Sequence, residues 1–272
     1  MSRIVTVGLL QQTCSDDKEA TFAKTSAGIR DAAKRGADLV VLQELHAGPY
    51  FCQTEDPAHF AQAESIPGPA SDRLAAVARE TGVVLVTSLF ERRAPGLYHN
   101  TAVVFERDGR IAGRYRKMHI PEDPGFNEKF YFAPGDLGFT PIQTSVARLG
   151  VLVCWDQWYP EAARLMALAG AEILVYPTAI GWVLEDPGEE RARHRIGFEP
   201  HPGHPDDGIV FLGGSFVAGP QGEILATAST DREELLLVPL DLDRTEEIRQ
   251  LWPFFRDRRV DAYEGLLRRY LE

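Results

Sequence analysis

Basic charge, cysteine and long apolar runs are all scarce in this chain, and each shortage removes a class of function. Lysine and arginine number 29 against 40 aspartates and glutamates, a formal net charge of −11 over 272 residues. That balance argues against a nucleic-acid partner, whose phosphates demand clustered basic side chains. It suits a cationic ligand, although most acidic proteins are simply soluble. Only three cysteines occur, Cys14, Cys52 and Cys154, with no CxxC spacing. A disulfide framework is therefore excluded, and free thiols in a reducing compartment, the cytoplasm, are expected. No apolar run reaches the roughly 18 residues that span a bilayer, so no membrane association is expected. The opening MSRIVTVGLLQQ turns polar too early for a secretory signal. Walker loop, dinucleotide fingerprint and zinc spacing are all missing, and no cofactor is implied. His201 and His204 stand in a proline-rich stretch without helical or strand spacing, which reads as a loop and not as a metal pair.

What is present is alternation. Short β-branched runs at Ile4–Leu10, Leu39–Leu42, Val83–Leu89, Thr101–Phe105, Val151–Val153, Ile173–Tyr176, Ser215–Ala218 and Leu235–Leu240 read as strands. The run Leu39-Val40-Val41-Leu42 does not alternate, so both of its faces should be buried. Helices are expected over Asp17–Arg35, over Ser71–Thr81 with Ser71 as N-cap, and over Pro160–Gly170. In the last, Ala162, Leu165, Met166 and Ala169 share one apolar face and Gly170 can end it. Asp108-Gly109 and the stretch Gly219–Glu223 mark hairpin turns. The segment Glu185–Asp207, rich in proline, glycine, histidine and charge, reads as a loop of suspicious length. Strands alternating with helices define an α/β layered fold, and the length suits one domain.

Three residues could carry chemistry. Cys154 ends the strand Gly150–Val153 just before a helix, at a place where α/β folds hold ligands and backbone N–H groups favour an anion. Glu44 follows the apolar strand Leu39–Leu42, where desolvation would raise its pKa and suit it to act as a base. Lys117 lies in Tyr115-Arg116-Lys117-Met118-His119. Taken singly, such a cysteine is more often a small core side chain, and such a glutamate or lysine a solvated charge.

Together they read differently. Cys154-Trp155-Asp156-Gln157-Trp158-Tyr159-Pro160-Glu161, the string from Lys117 through Glu128 to Asp136, and Phe254-Phe255-Arg256-Asp257-Arg258-Arg259 resemble the nitrilase superfamily of carbon–nitrogen hydrolases, in its N-carbamoylputrescine amidase branch. The likeness runs from about residue 3 to about residue 265. It implies a four-layer α-β-β-α sandwich and a Glu44–Lys117–Cys154 triad, with Glu128 as a second glutamate holding lysine and substrate. The implied substrate is a small N-carbamoyl amine such as N-carbamoylputrescine. Lys117 and the Trp155 backbone N–H would hold the oxyanion, while Tyr131 and Trp155 could wall the pocket. Glu185 is a candidate partner for a distal ammonium, although Trp182-Val183-Leu184 intervenes before it. The resemblance also implies a homodimer or higher homo-oligomer, paired through Pro160–Gly170, with an arm from about Trp252 packed on a neighbour.

The chain departs from that pattern between Arg191 and Ile196, where roughly 30 residues, one strand-plus-helix unit, are missing. Either the chain is a true deletion or the sequence is incomplete. Loss of a core strand would expose two sheet edges, which favours the second. Three other readings remain: a related amidase such as a β-ureidopropionase, ω-amidase or nitrilase; a catalytically dead, interaction-only protein; and a papain-like enzyme with His119 as base.

Overall fold

A computed structural model describes residues 2–183, 197–201 and 204–272. In chain order its elements are β1 (Ile4–Gln11), α1 (Lys18–Lys34), β2 (Leu39–Leu42), α2 (Pro69–Thr81), β3 (Val84–Ala94), β4 (Leu97–Phe105), β5 (Ile111–Arg116), α3 (Glu128–Tyr131), β6 (Ile142–Gln143), β7 (Arg148–Val151), α4 (Pro160–Leu168), β8 (Ile173–Val175), β9 (Gly181–Val183), β10 (Gly197–His201), β11 (His204–Phe211), β12 (Phe216–Ala218), β13 (Ile224–Thr227), β14 (Glu234–Asp241) and α5 (Leu242–Leu251).

A six-stranded sheet in the order β14-β1-β2-β3-β4-β5 forms the main platform, with β1, β2 and β3 parallel and the outer pairings antiparallel. The non-alternating β2 lies inside it, and both of its faces are used. Val40 and Leu42 pack with Leu85, Val103 and Phe105 against Phe22 and Ile29 of α1 and Leu74 and Val77 of α2. Leu39 and Val41 pack from the other face with Val84, Val86 and Val104 against Leu149 and Val151 of β7. The second sheet, β6-β7-β8, runs β7 and β8 parallel. Helix α4 covers it through the buried Ala162 and Met166. Gly150 permits that approach, since a Cβ there would stand 3.0 Å from Met166 Cβ. The four layers are thus helices, sheet, sheet and helix, as the resemblance implies.

Two local readings change. Helix α2 begins at Pro69, with Gly68 as N-cap, so Ser71 sits inside the first turn. Its hydroxyl closes the capping box by accepting the Gly68 N–H at 2.8 Å, and Pro69 suits the first helical position because its missing N–H is not needed there. The long loop expected over 185–207 is partly strand: β11 pairs with both β10 and β9. Pairing on both edges outweighs the local proline and glycine content. The backbones of His201 and His204 are paired in register between β10 and β11. Residues 184–196, which include Glu185 and the position of the shortfall, lie outside the described residues.

Among the described residues, β8 pairs only with β7 and β12 only with β13. A cavity of about 930 Å³ is lined by both, by Leu9, Val41 and Leu240 of the main sheet, and by Glu44.

The end of β5 is fixed where the site will form. Arg116, 7% exposed, makes two parallel bonds to Glu91, at 2.7 and 2.8 Å. The loop that follows folds back so that the Gly135 N–H donates to the Lys117 carbonyl at 2.8 Å. A Cβ on Gly135 would collide with the Arg116 carbonyl, a backbone atom that cannot swing aside. We expect Gly135→Ala to cost about 1–3 kcal/mol of stability. Urea denaturation would measure it, and an unshifted midpoint would contradict this packing.

Candidate active site

The ends of three strands converge. Glu44 follows β2 by two residues, Lys117 follows β5 directly, and Cys154 follows β7 after the pairing with β8 has continued through Leu152 N–H to Val175 and Cys154 N–H to Pro177, both at 2.9 Å. Helix α3 supplies Glu128. Cys154 has φ +42°, a left-handed conformation rare for a residue with a side chain. Such backbone costs about 1–3 kcal/mol and persists only where its surroundings enforce it. Here it turns the chain from strand into the short 3₁₀ turn Cys154–Trp158 and leaves Sγ 3.6 Å from the Ala179 carbonyl.

Lys117 is fully buried and lies between two carboxylates. Its ammonium donates to Glu44 Oε1 at 2.8 Å and to both oxygens of Glu128 at 2.9 and 2.7 Å. Burial alone would depress its pKa, but the charges of Glu128 and Glu44 outweigh that and raise it, so the lysine stays protonated. Glu44 is held on every side: Asn100 Nδ2 donates to Oε1 at 2.7 Å, and the Ala179 N–H donates to Oε2 at 2.9 Å. Ser88 orients Asn100 by donating to its Oδ1 at 2.7 Å. Tyr50 donates its hydroxyl to Glu128 at 2.8 Å, and burial pushes the Glu128 carboxyl above the ordinary range. Burial, then the Glu44 charge, pushes the Cys154 thiol up as well, and a hydrogen bond with Glu44 acts in the same direction. Between substrates the sulfur is therefore a thiol with a carboxylate at hand to take its proton.

Glu44, Lys117, Glu128 and Cys154, all chosen from sequence, come together. Trp155 stands next to the sulfur on the nucleophile turn, with its ring 6.3 Å from that of Trp158. Glu44 lines the cavity described above, whereas Lys117, Glu128, Tyr131, Cys154 and Trp155 do not. Tyr131 is 3% exposed in an aromatic core with Phe51, Phe60 and Phe90. Its hydroxyl donates to the Thr54 carbonyl and accepts the Asp56 N–H at 2.9 Å. Tyr131 and Glu128 share the single turn of α3. His119 turns its Nδ1 to Asp156 at 2.6 Å and stacks its ring on Tyr159. Asn100, Tyr50 and Asp156 were missed. A buried asparagine inside the apolar strand Leu97–Phe105 was the available signal, because strands disfavour that residue. Among the described residues no three histidine, cysteine, aspartate or glutamate side chains group as metal ligands.

This geometry sets a buried thiol, two buried carboxylates and a buried ammonium in one place. The carbon–nitrogen hydrolase family matches residues 6–250, and the chain belongs to it. Within that family the chain is 42% identical to an N-carbamoylputrescine amidase of Solanum lycopersicum, over 98% of this chain and 96% of that protein. It is 34% identical to a citrullinase of Francisella tularensis, over 98% and 99% respectively. The crystal structure of a carbon–nitrogen hydrolase from Helicobacter pylori superposes with a TM-score of 0.93 at 51% identity, covering 98% of this chain and 100% of that one.

Lys117→Ala should strand two buried carboxylates. Breaking such a pair typically costs about 3–5 kcal/mol, so both the melting temperature and kcat/KM should fall sharply. Cys154→Ala should keep the fold and abolish turnover. Calorimetry and ammonia release measure the two outcomes, and an active Cys154→Ala protein would remove the sulfur from the reaction.

Proposed function

We propose that this enzyme hydrolyses the terminal carbamoyl group of N-carbamoylputrescine, giving putrescine, carbon dioxide and ammonia, as a step of polyamine synthesis. The observation that carries this reading is the 42% identity to an N-carbamoylputrescine amidase across 98% of the chain, joined to a fully assembled Glu–Lys–Cys centre. Glu44 takes the proton from Cys154, and the sulfur attacks the ureido carbon. Lys117 and the Trp155 N–H stabilise the oxygen as it becomes anionic. Glu44 returns the proton to the departing nitrogen, so ammonia leaves and a carbamoyl thioester remains. Water, deprotonated by Glu44, then breaks the C–S bond. The resulting carbamic acid loses carbon dioxide to give the amine, and Cys154 regains its proton. Glu128 keeps Lys117 aligned throughout. In this reading Glu185 pairs with the distal ammonium of the substrate.

The citrullinase relative supports a second reading. Citrulline also ends in a ureido group, so the same centre would serve, and the choice falls to whatever meets the far end of the substrate. Ammonia release from N-carbamoylputrescine, citrulline and N-carbamoyl-β-alanine separates these readings. We expect kcat/KM for the diamine derivative to exceed that for the anionic compound at least about tenfold, a difference of about 1.4 kcal/mol. The reverse preference would overturn the diamine reading.

Assembly into a homodimer or larger homo-oligomer belongs to the same proposal. Leu165 and Leu168 on α4, with Trp158 before it, are 45%, 44% and 60% exposed, and Leu267 and Tyr270 in the C-terminal arm are 90% and 81% exposed. Large apolar side chains this exposed support a partner. Light scattering on the eluting protein should give a multiple of 30.2 kDa, and a monomer at micromolar concentration would refute it. A cytoplasmic location is part of this reading, supported by three cysteines that no disulfide joins and by the lack of any described helix long and apolar enough to cross a membrane. We also read the chain as a single catalytic domain short of one structural unit. The alignment with the Solanum lycopersicum protein, 288 residues long, exceeds the 272 residues of the chain itself, which supports that view.

A further inference from the structure

Asp156 is fully buried, two residues past the nucleophile, and the reaction above does not use it. Its two oxygens accept four hydrogen bonds. Oδ2 takes the Val153 N–H at 2.9 Å and the Tyr115 hydroxyl at 2.8 Å. Oδ1 takes the His119 N–H at 3.1 Å and the His119 Nδ1–H at 2.6 Å. The donors bracket the reactive groups. Val153 immediately precedes Cys154, while Tyr115 and His119 stand two residues before and two residues after Lys117. The turn is closed further by backbone bonds from Asp156 N–H to the Val153 carbonyl at 3.0 Å and from Tyr159 N–H to the Asp156 carbonyl at 3.2 Å. Outside it, the His119 ring stacks on Tyr159 with centroids 3.7 Å apart and planes 5° from parallel.

We propose that Asp156 is a positioning residue that sets the separation between the Cys154 sulfur and the Lys117 ammonium, by tying the nucleophile turn and the lysine loop to one carboxylate. The proposal rests on the roles given to Cys154 and Lys117 above. The argument is geometric. Cys154 is held in a left-handed conformation that must be enforced locally, and the one side chain that grips the residue before it also grips both flanks of Lys117. Elsewhere, Lys117 is anchored to Glu44 and Glu128, and the Cys154 N–H to the Pro177 carbonyl. Without Asp156 those anchors and the His119–Tyr159 stacking would survive, but the four hydrogen bonds that tie the turn to the loop on this side would be lost. A misplacement near 1 Å can cost about 100-fold in rate while substrate still binds.

The test uses Asp156→Asn, which exchanges one acceptor oxygen for a donor NH2, and His119→Gln at the partly exposed end of the latch. Three quantities are measured on each purified protein: kcat and KM with N-carbamoylputrescine, the rate of Cys154 alkylation by iodoacetamide followed by peptide mass, and the melting curve. In Asp156→Asn, kcat should fall roughly 100-fold with KM within about threefold and alkylation of Cys154 slowed, in a protein that still melts cooperatively. His119→Gln should move the same quantities in the same direction by a smaller factor. The double variant should be no worse than Asp156→Asn alone, because both substitutions open one latch. Unchanged kcat and alkylation in both variants would overturn the proposal. So would a rise in KM at constant kcat, or a double variant whose loss is the product of the two single losses. Should Asp156→Asn fail to fold, His119→Gln decides alone. Should the wild-type protein not turn over this substrate, the functional reading fails and the alkylation rates still decide: slowed alkylation supports the latch and equal rates sink it.

Discussion

One ammonium buried between two carboxylates organises this molecule. Lys117 has no solvent exposure, so its charge must be met within the protein or not carried at all. Glu44 and Glu128 meet it from opposite parts of the fold, one behind an inner strand of the six-stranded sheet and one on a single helical turn beyond the sheet's edge. Each carboxylate then needs partners of its own. Asn100 and the Ala179 N–H serve Glu44, and Tyr50 serves Glu128. Every group that satisfies one charge thereby fixes another, and the network stays rigid because no member can relax into water.

The sulfur enters this network as the neutral partner. Burial and the neighbouring Glu44 charge keep Cys154 a thiol. The fold stores the geometry in backbone. Parallel pairing of β7 and β8 carries the chain to Cys154, and a left-handed residue then turns it sharply. Two glycines serve the same end at a distance. Gly150 lets α4 approach the second sheet, and Gly135 lets the lysine loop fold back on β5.

Much of this was legible in the chain itself, and for definite reasons. Leu39–Leu42 announced a strand buried on both faces because no polar residue interrupts it, and the structure uses both faces. The layered fold followed from strands alternating with amphipathic helices. Less was visible where a residue's role depends on distant partners. Arg116-Lys117 has the look of surface charge; only Glu91, Glu44 and Glu128, brought in from elsewhere, make a core of it. Tyr131 lies close to Glu128 in sequence, and its packing against Phe51 and Phe60 depends on which way a short helix turns.

By itself, the sequence determined the order and kind of the elements, which cysteine, glutamates and lysine would be brought together, and the family to which the chain belongs. Those properties are local, written in hydrophobic period, turn residues and contiguous strings around each reactive group. Tertiary structure alone decided that Asn100 donates to Glu44, that Asp156 takes hydrogen bonds from both flanks of Lys117, and where two sheet edges flank a cavity. These are contacts between residues far apart along the chain. No local pattern encodes them, because they exist only once burial has brought the strand ends together and removed the water that would otherwise satisfy them.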